Sequence, residues 1–224
     1  MHVGKKLVSV AAAAALIAGV GAVTAAPASA KVKTPTAKGQ TDLTVPLATV
    51  TDAAAKGVTI SPIAPAQVLA TMDTATLEFP VRYRRGDGII GHRGGLSFAS
   101  DNTGITVELM NPDITWGTGE SPVQRAQVSF TNTLNGAHVT ILDVRNIDIT
   151  SKLGKAVKDG KSGWKRTDRV TFTGDAFIVN NPVAVKIFNE AMDAEIFTPG
   201  MSFGTIGSSS AITVYCKTKT ACTV

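Results

Sequence analysis

Apolar and polar residues alternate over several short windows in the second two-thirds of the chain. Leu77-Glu-Phe79-Pro-Val81-Arg-Tyr83, Ile105-Thr-Val107-Glu-Leu109 and Val170-Thr-Phe172-Thr repeat with a period of two, and the stretch Val123 to Phe130 has apolar groups at 126, 128 and 130. That period belongs to strands buried on one face. Val139 to Val144 and Ile147-Asp-Ile149 supply more strand material, as do Met201 to Ile206 and Ala211 to Tyr215. Turn signals separate these runs. Asp101-Asn102-Thr103-Gly104 is one, and Leu134-Asn135-Gly136 holds the Asn-Gly pair that suits a hairpin loop. A helical period is clear once. Asn181 and Pro182 make a good N-cap and first position, Val185, Phe188, Ala191 and Met192 recur on one face, and Thr198-Pro199-Gly200 stops the run by Phe197. A second, shorter helix is predicted over Leu47 to Lys56, ended by Gly57. Strands and helices do not alternate regularly. The expected fold is therefore mainly β: an antiparallel β-sandwich or barrel-like sheet with one or two packed helices.

The flanks of this pattern behave differently. Lys5 and Lys6, an apolar run from Leu7 to Ala26, and Ala28-Ser29-Ala30 have the three parts of a cleavable secretory signal peptide, residues 1–30. Every later apolar run is short and broken, so no stable membrane span is expected after cleavage. Residues 31–42 are polar and Lys-rich, which predicts a flexible N-terminal arm. Residues 43–224 are expected to form a single β-rich domain. Within it, residues 151–168 are basic and Gly-containing and read as an exposed loop or frayed helix. An exported chain matures in an oxidising space, so its two cysteines, Cys216 and Cys222, are expected to form a disulfide. No His, Asp or Glu between Tyr215 and Val224 completes a metal site there.

Charge narrows the partners. Cleavage removes Lys5 and Lys6 but no carboxylate, which lowers the formal charge of +5 by two. The remaining bases are dispersed, without the concentrated stripe and stacking aromatics of a nucleic-acid binder. An anionic cell-wall polymer or a small ligand remains as a possible partner. No H-E-x-x-H pair is present, and the G-x-S-x-G string from Gly200 to Gly204 follows the helical run and precedes strand material, the reverse of the strand-to-helix order of a nucleophile elbow. Its histidines are His2, His92 and His138, too scattered in sequence to argue a metal centre.

One stretch stands apart. Gly88-Ile-Ile-Gly-His92-Arg-Gly94-Gly95-Leu96-Ser-Phe98 precedes Val107-Glu-Leu109-Met-Asn111-Pro112-Asp-Ile114. Its glycines allow close backbone approach or a bulge. His92, at its centre, is read either as a hydrogen-bonding structural residue or as a ligand contact. The step resembles the core signature of the HtaA-type domains of secreted actinobacterial proteins. Leu47 to Pro62, Phe79 to Val81 and Phe197 to Thr205 follow the same general plan, so the likeness runs over most of residues 43–206. Some HtaA domains bind haem through an axial tyrosine supported by a histidine. The resemblance therefore implies His92, with Tyr83 in the preceding strand and Gly94 and Gly95 beside it, as ligand-binding candidates. This chain lacks the Trp/Ser-Phe-x-x-Tyr segment that carries the family's axial tyrosine, and its two tyrosines are Tyr83 and Tyr215. The expectation is a secreted or envelope-associated, non-enzymatic binding or structural module without a cofactor, and the alternative is a haem or small-ligand binder built on the His92 region.

Overall fold

Strict alternation forces each strand to choose an inner and an outer face, and the inner faces enclose a barrel. The computed structural model describes residues 36–85, 88–116, 125–133, 136–160 and 163–222. The predicted leader and Asn135 of the hairpin loop lie outside the described residues. The strands are β1 (Thr36–Pro46), β2 (Val58–Ile63), β3 (Gln67–Ala70), β4 (Thr74–Arg85), β5 (Ile89–His92), β6 (Gly95–Ser100), β7 (Thr106–Trp116), β8 (Ala126–Asn132), β9 (His138–Lys152), β10 (Val157–Lys158), β11 (Trp164–Ile178) and β12 (Ser202–Cys216). Helix α1 (Leu47–Ala55) follows β1, and α2 (Pro182–Met192) joins β11 to β12.

Eight of the strands close into an antiparallel ring in the order β7-β5-β4-β1-β12-β11-β9-β8, and β8 pairs back onto β7. The architecture is thus a barrel with added strands rather than a sandwich. β6 extends the β5 side along the first half of β7 and carries β2, β3 lies on β4, and β10 lies on β11. Ring closure gives every ladder in it a partner. The interior is filled by Leu43 and Val45 of β1, Phe79 of β4, Ile114 of β7, Phe130 of β8, Leu142 and Val144 of β9, Phe172 of β11 and Ile206 of β12, all buried.

Long strands keep one face inside only by inserting bulges. On β7, Val107 and Leu109 face the core before Asn111, and Pro112 and Ile114 face it afterwards. Asn111 itself takes φ 50°, at a register shift between Met110 and Asp113. On β9, Leu142 and Val144 give way to Ile147 and Ile149 across Asn146, φ 52°, opposite a shift between Thr173 and Asp175.

Three sequence expectations are corrected here. The arm predicted over residues 31–42 is strand from Thr36 onward, and β1 sits between β4 and β12. Its positions in phase with Leu43 are Ala37, Gly39 and Thr41, too small or too polar to show a hydrophobic stripe. Half of the loop predicted over 151–168 is strand: β9 runs to Lys152, β10 follows, and β11 begins at Trp164. There Trp164 to Arg166 of β11 and Thr213 to Cys216 of β12 are half-buried on both faces, so no alternation of buried and exposed positions marks the segment. The C-terminal helix ends at Met192, earlier than Phe197, because Asp193 takes a left-handed conformation, φ 48°.

The cysteines are bonded: Cys216 and Cys222 form a disulfide with Cα atoms 5.5 Å apart. The Arg166 guanidinium donates to the Cys222 carbonyl and pairs with Asp168 at 2.9 Å, tying the final turn to β11. Helix α2 is held at both ends. Asn181 Oδ1 accepts from Val183 N at 3.2 Å and Ala184 N at 3.1 Å. At the other end, Ser100 Oγ, Thr103 Oγ1 and Asn102 Nδ2 donate to the carbonyls of Met192, Ala191 and Asp193. The β6–β7 turn thus satisfies carbonyls that a helix C-terminus leaves open. Asn181→Ala is expected to lower stability by about 1 kcal/mol. Thermal unfolding checks this: the midpoint should fall by about 2–4 °C at this chain length.

Candidate functional site

The Gly-His step lies where three strands meet. His92 ends β5 and points into the barrel, 1% exposed. Pro112 O can only accept, so His92 Nδ1 carries the ring proton and donates to it at 2.7 Å. Nε2 is left as an acceptor and takes the Thr41 hydroxyl at 2.6 Å. The ring therefore bridges β1 and β7 with both nitrogens occupied. Burial pushes its pKa down from the ordinary 6.5 to about 4, against the opposing pull of the Pro112 carbonyl, so it is neutral at pH 7. The space beside the ring is a void of about 10 Å³ among core side chains such as Phe79 and Phe130.

Tyr83 is on the other side of the sheet. A bulge at Arg82 separates the Val81–His92 pair from the Tyr83–Gly91 pair. Val81 consequently shares the inner face with His92, and Tyr83 shares the outer face with Gly91 and Asp113. Its hydroxyl donates to the Asp113 carboxylate, 3.0 Å from each oxygen. A Cβ on Gly91 would overlap the Tyr83 ring, which explains that glycine. The sheet thus separates the two residues suggested as a joint ligand set, and they do not converge on one pocket. Gly94 and Gly95 have packing roles. Gly94 takes φ 87° against the backbone of Ala66, and a Cβ on Gly95 would overlap the Leu109 carbonyl oxygen. Their missing side chains make room for the turn that leads into β3 and for β7.

A different site emerges at the end of the barrel covered by α2. A cavity of about 370 Å³ lies between this helix and the strands β6, β7, β8, β9 and β11. Phe98 of β6, Phe188 of α2 and Phe197 after it form one wall, with ring centroids 5.0–5.9 Å apart. Phe98 meets the other two edge-to-face, and Phe188 and Phe197 are tilted by 39°, contacts that fix the rings against one another. Aliphatic groups, including Leu109, Ile141 and Ile178, form the opposite wall. Phe197 is placed by Asn189, whose amide donates to Phe197 O at 2.8 Å and accepts from Phe197 N at 3.2 Å. Asn132 and Thr140, both in the β8–β9 hairpin, are the two polar residues of the lining, and no charged residue is among the fifteen that line it. Ile187 forms part of the lip. It is 62% exposed, and Val183, one turn earlier, is 66% exposed.

Sequence reasoning missed this site because its lining comes from six separate elements. One signal was available. The α2 segment carries Val183 and Ile187 outside the stripe of Val185, Phe188 and Met192, so it is apolar around more of its circumference than a core helix needs. Among the described residues, no group of three or more His, Cys, Asp or Glu could hold a metal ion, and no helix is long and apolar enough to cross a membrane.

No family model and no curated protein matches the chain. Among solved structures, the haem-binding protein HtaB from Corynebacterium glutamicum aligns with it at 12% identity. That alignment covers 81% of this chain and 97% of HtaB, with a TM-score of 0.47. A likeness that distant carries no argument about what this chain binds.

The buried imidazole gives stability a pH dependence. In the unfolded chain His92 protonates near 6.5, whereas in the fold it protonates near 4. The unfolded state therefore binds more protons as pH falls between these values, and stability drops in that direction. Its contribution should reach about 2 kcal/mol at pH 5 relative to pH 7.5. Urea titrations at the two pH values should show this component in the native protein and not in His92→Gln; equal losses in both would refute it.

Proposed function

We propose that this chain is a non-enzymatic, extracellular binding module that takes up a small apolar molecule between α2 and the barrel end. The supporting observation is the cavity itself. Its volume lies within the usual span for small-molecule sites, and its lining is apolar with two polar groups on one side. Packed interiors seldom leave voids much larger than a water molecule, because each lining side chain forfeits dispersion contacts. Here the aromatic wall is rigidly positioned although the space beside it is open. The disulfide agrees with an oxidising compartment.

The haem alternative finds less support. The lining of this cavity contains no His, Tyr, Cys or Met to serve as an iron ligand. His92 has both ring nitrogens engaged, and Tyr83 is on the opposite face of its sheet. A cell-wall polymer would need an extended polar groove, whereas the α2 cavity is a compact apolar pocket.

Titration with N-phenylnaphthylamine, a dye that brightens in apolar surroundings, tests the reading. Saturable binding with a micromolar Kd is expected. Ala191→Phe and Ala184→Phe each place a ring in the cavity from a different position on α2 and should weaken binding by at least about tenfold, while thermal unfolding shows that the fold persists. Absence of saturable binding, or affinity unchanged in both variants, would overturn it.

A further inference from the structure

The first third of β11 and the strands beside it gather cations that are scattered in sequence. We propose that the edge over residues 152–158, with Arg169 and Lys38 next to it, docks this chain on an anionic lipid surface. The proposal is independent of the α2 cavity, since β11 starts at this edge and ends at α2.

Three observations carry it. The first is a row of like charges. Arg169 on β11 pairs with Lys152 on β9 and with Ala211 on β12, and Ala211 pairs with Lys38 on β1. Directly paired residues share a face, and like charges opposite each other destabilise a sheet. All three cations are exposed, whereas Val170 beside Arg169 is buried, so the row lies on the outer face. Lys155 and Lys158 are exposed along the same edge.

The second is a shortage of counter-charge. Between Thr150 and Arg169 the chain has two carboxylates, Asp159 and Asp168. Asp159 pairs with Lys165 at 3.5 Å and Asp168 with Arg166 at 2.9 Å, so both are committed. In phase with the row, the next carboxylates are Asp42 on β1 and Asp148 on β9, four residues from Lys38 and Lys152. That is about 13 Å of strand, beyond the screening length of about 10 Å at about 0.1 M salt.

The third is apolar exposure in the same segment. Leu153 is 66% exposed and Val157 is 49% exposed. They are interspersed with the lysines in Lys152-Leu-Gly-Lys155-Ala-Val157-Lys158. Among the described strands β10 pairs with β11 alone, so its other edge faces solvent.

Lysines on an edge strand also guard it against pairing with other chains. That role needs no cation at Arg169, which is paired on both sides, and exposed Leu153 and Val157 work against it. An anionic bilayer accounts for both features. Basic side chains meet its surface charge, and neighbouring aliphatic groups enter the headgroup boundary. A soluble polyanion would use the cations and leave the aliphatic pair in water.

Vesicle co-sedimentation tests this with the chain from Lys31 onward. Every described element lies within residues 36–222, so that form has the whole fold. Saturable binding is expected to vesicles of equal parts phosphatidylglycerol and phosphatidylcholine at about 0.1 M salt, with at least about tenfold weaker binding to pure phosphatidylcholine. Lys152→Gln, Lys155→Gln and Lys158→Gln together should weaken binding to the mixed vesicles by at least about tenfold. Leu153→Ser with Val157→Ser should weaken it by at least about threefold. Removing three cations elsewhere, by Arg93→Gln, Arg125→Gln and Lys186→Gln, should leave it within about twofold. All these positions are exposed, and thermal unfolding shows that each variant folds. Equal binding to the two vesicle types, or none to either, overturns the proposal. So does an equal loss in the variant of Arg93, Arg125 and Lys186. A loss in the lysine variant with none in the Leu153 and Val157 variant reveals a general polyanion site and overturns the lipid assignment. If the lysine variant binds as the native protein does and elutes as an oligomer in size exclusion, the lysines guard the edge and the proposal falls.

Discussion

In a closed sheet every residue must be either inside or outside, and a strand that loses phase buries its polar face. This constraint of phase governs the molecule. Eleven-residue β7 cannot curve around the barrel in one phase, so Asn111 takes a left-handed conformation and resets it. The bulge at Arg82 does the same on β4. His92 joins the strands at this seam. Its ring accepts from Thr41 on β1 and donates to the Pro112 carbonyl beside the β7 bulge. A buried polar group is acceptable only when satisfied, and here each polar atom of the ring is. The same phase shift that brings His92 inward leaves Tyr83 outside, bonded to Asp113.

The two ends of the barrel are treated differently. Near Trp116, which stacks on Phe172 with centroids 6.0 Å apart, aromatic rings occupy the interior. At the other end α2 lies across the opening, and its aromatic contacts are concentrated near Phe98 and Phe197. The β6–β7 turn holds the last carbonyls of α2, so the C-terminal part of the helix is fixed to the sheet. The cavity follows from this geometry: a straight helix anchored at one side does not fill a curved opening. The Asn189 bridge to Phe197 then keeps the aromatic wall from collapsing into the space.

Much of the architecture is legible in the sequence. Phe79, Val107, Leu109 and Phe172 announce their strands because their neighbours are polar, and Asn181 with Pro182 announces α2. Other parts are silent for physical reasons. β1 and the middle of β12 face each other through Thr41 and Ser208, small and polar on the side where a core strand usually writes its hydrophobic stripe. His92 was legible as a special residue, but its two roles differ only in what lies beside the ring, and a bulge one strand away decides that. The cavity is illegible in principle from one sequence, since Phe98, Ile141 and Ile187 become neighbours only after the ring closes.

That closure joins β1 to β12, with Thr36 opposite Thr213 and Thr44 opposite Thr205. Pairing across so much of the chain is slow, because the entropy of closing a long loop is lost before the ladder forms. A chain delivered N-terminus first therefore cannot complete its barrel on the way. Until β12 arrives, β1 has one edge unpaired, and the tertiary structure waits for nearly the last residues. Such a polypeptide stays open along that edge while it is being made and locks only when β12 pairs.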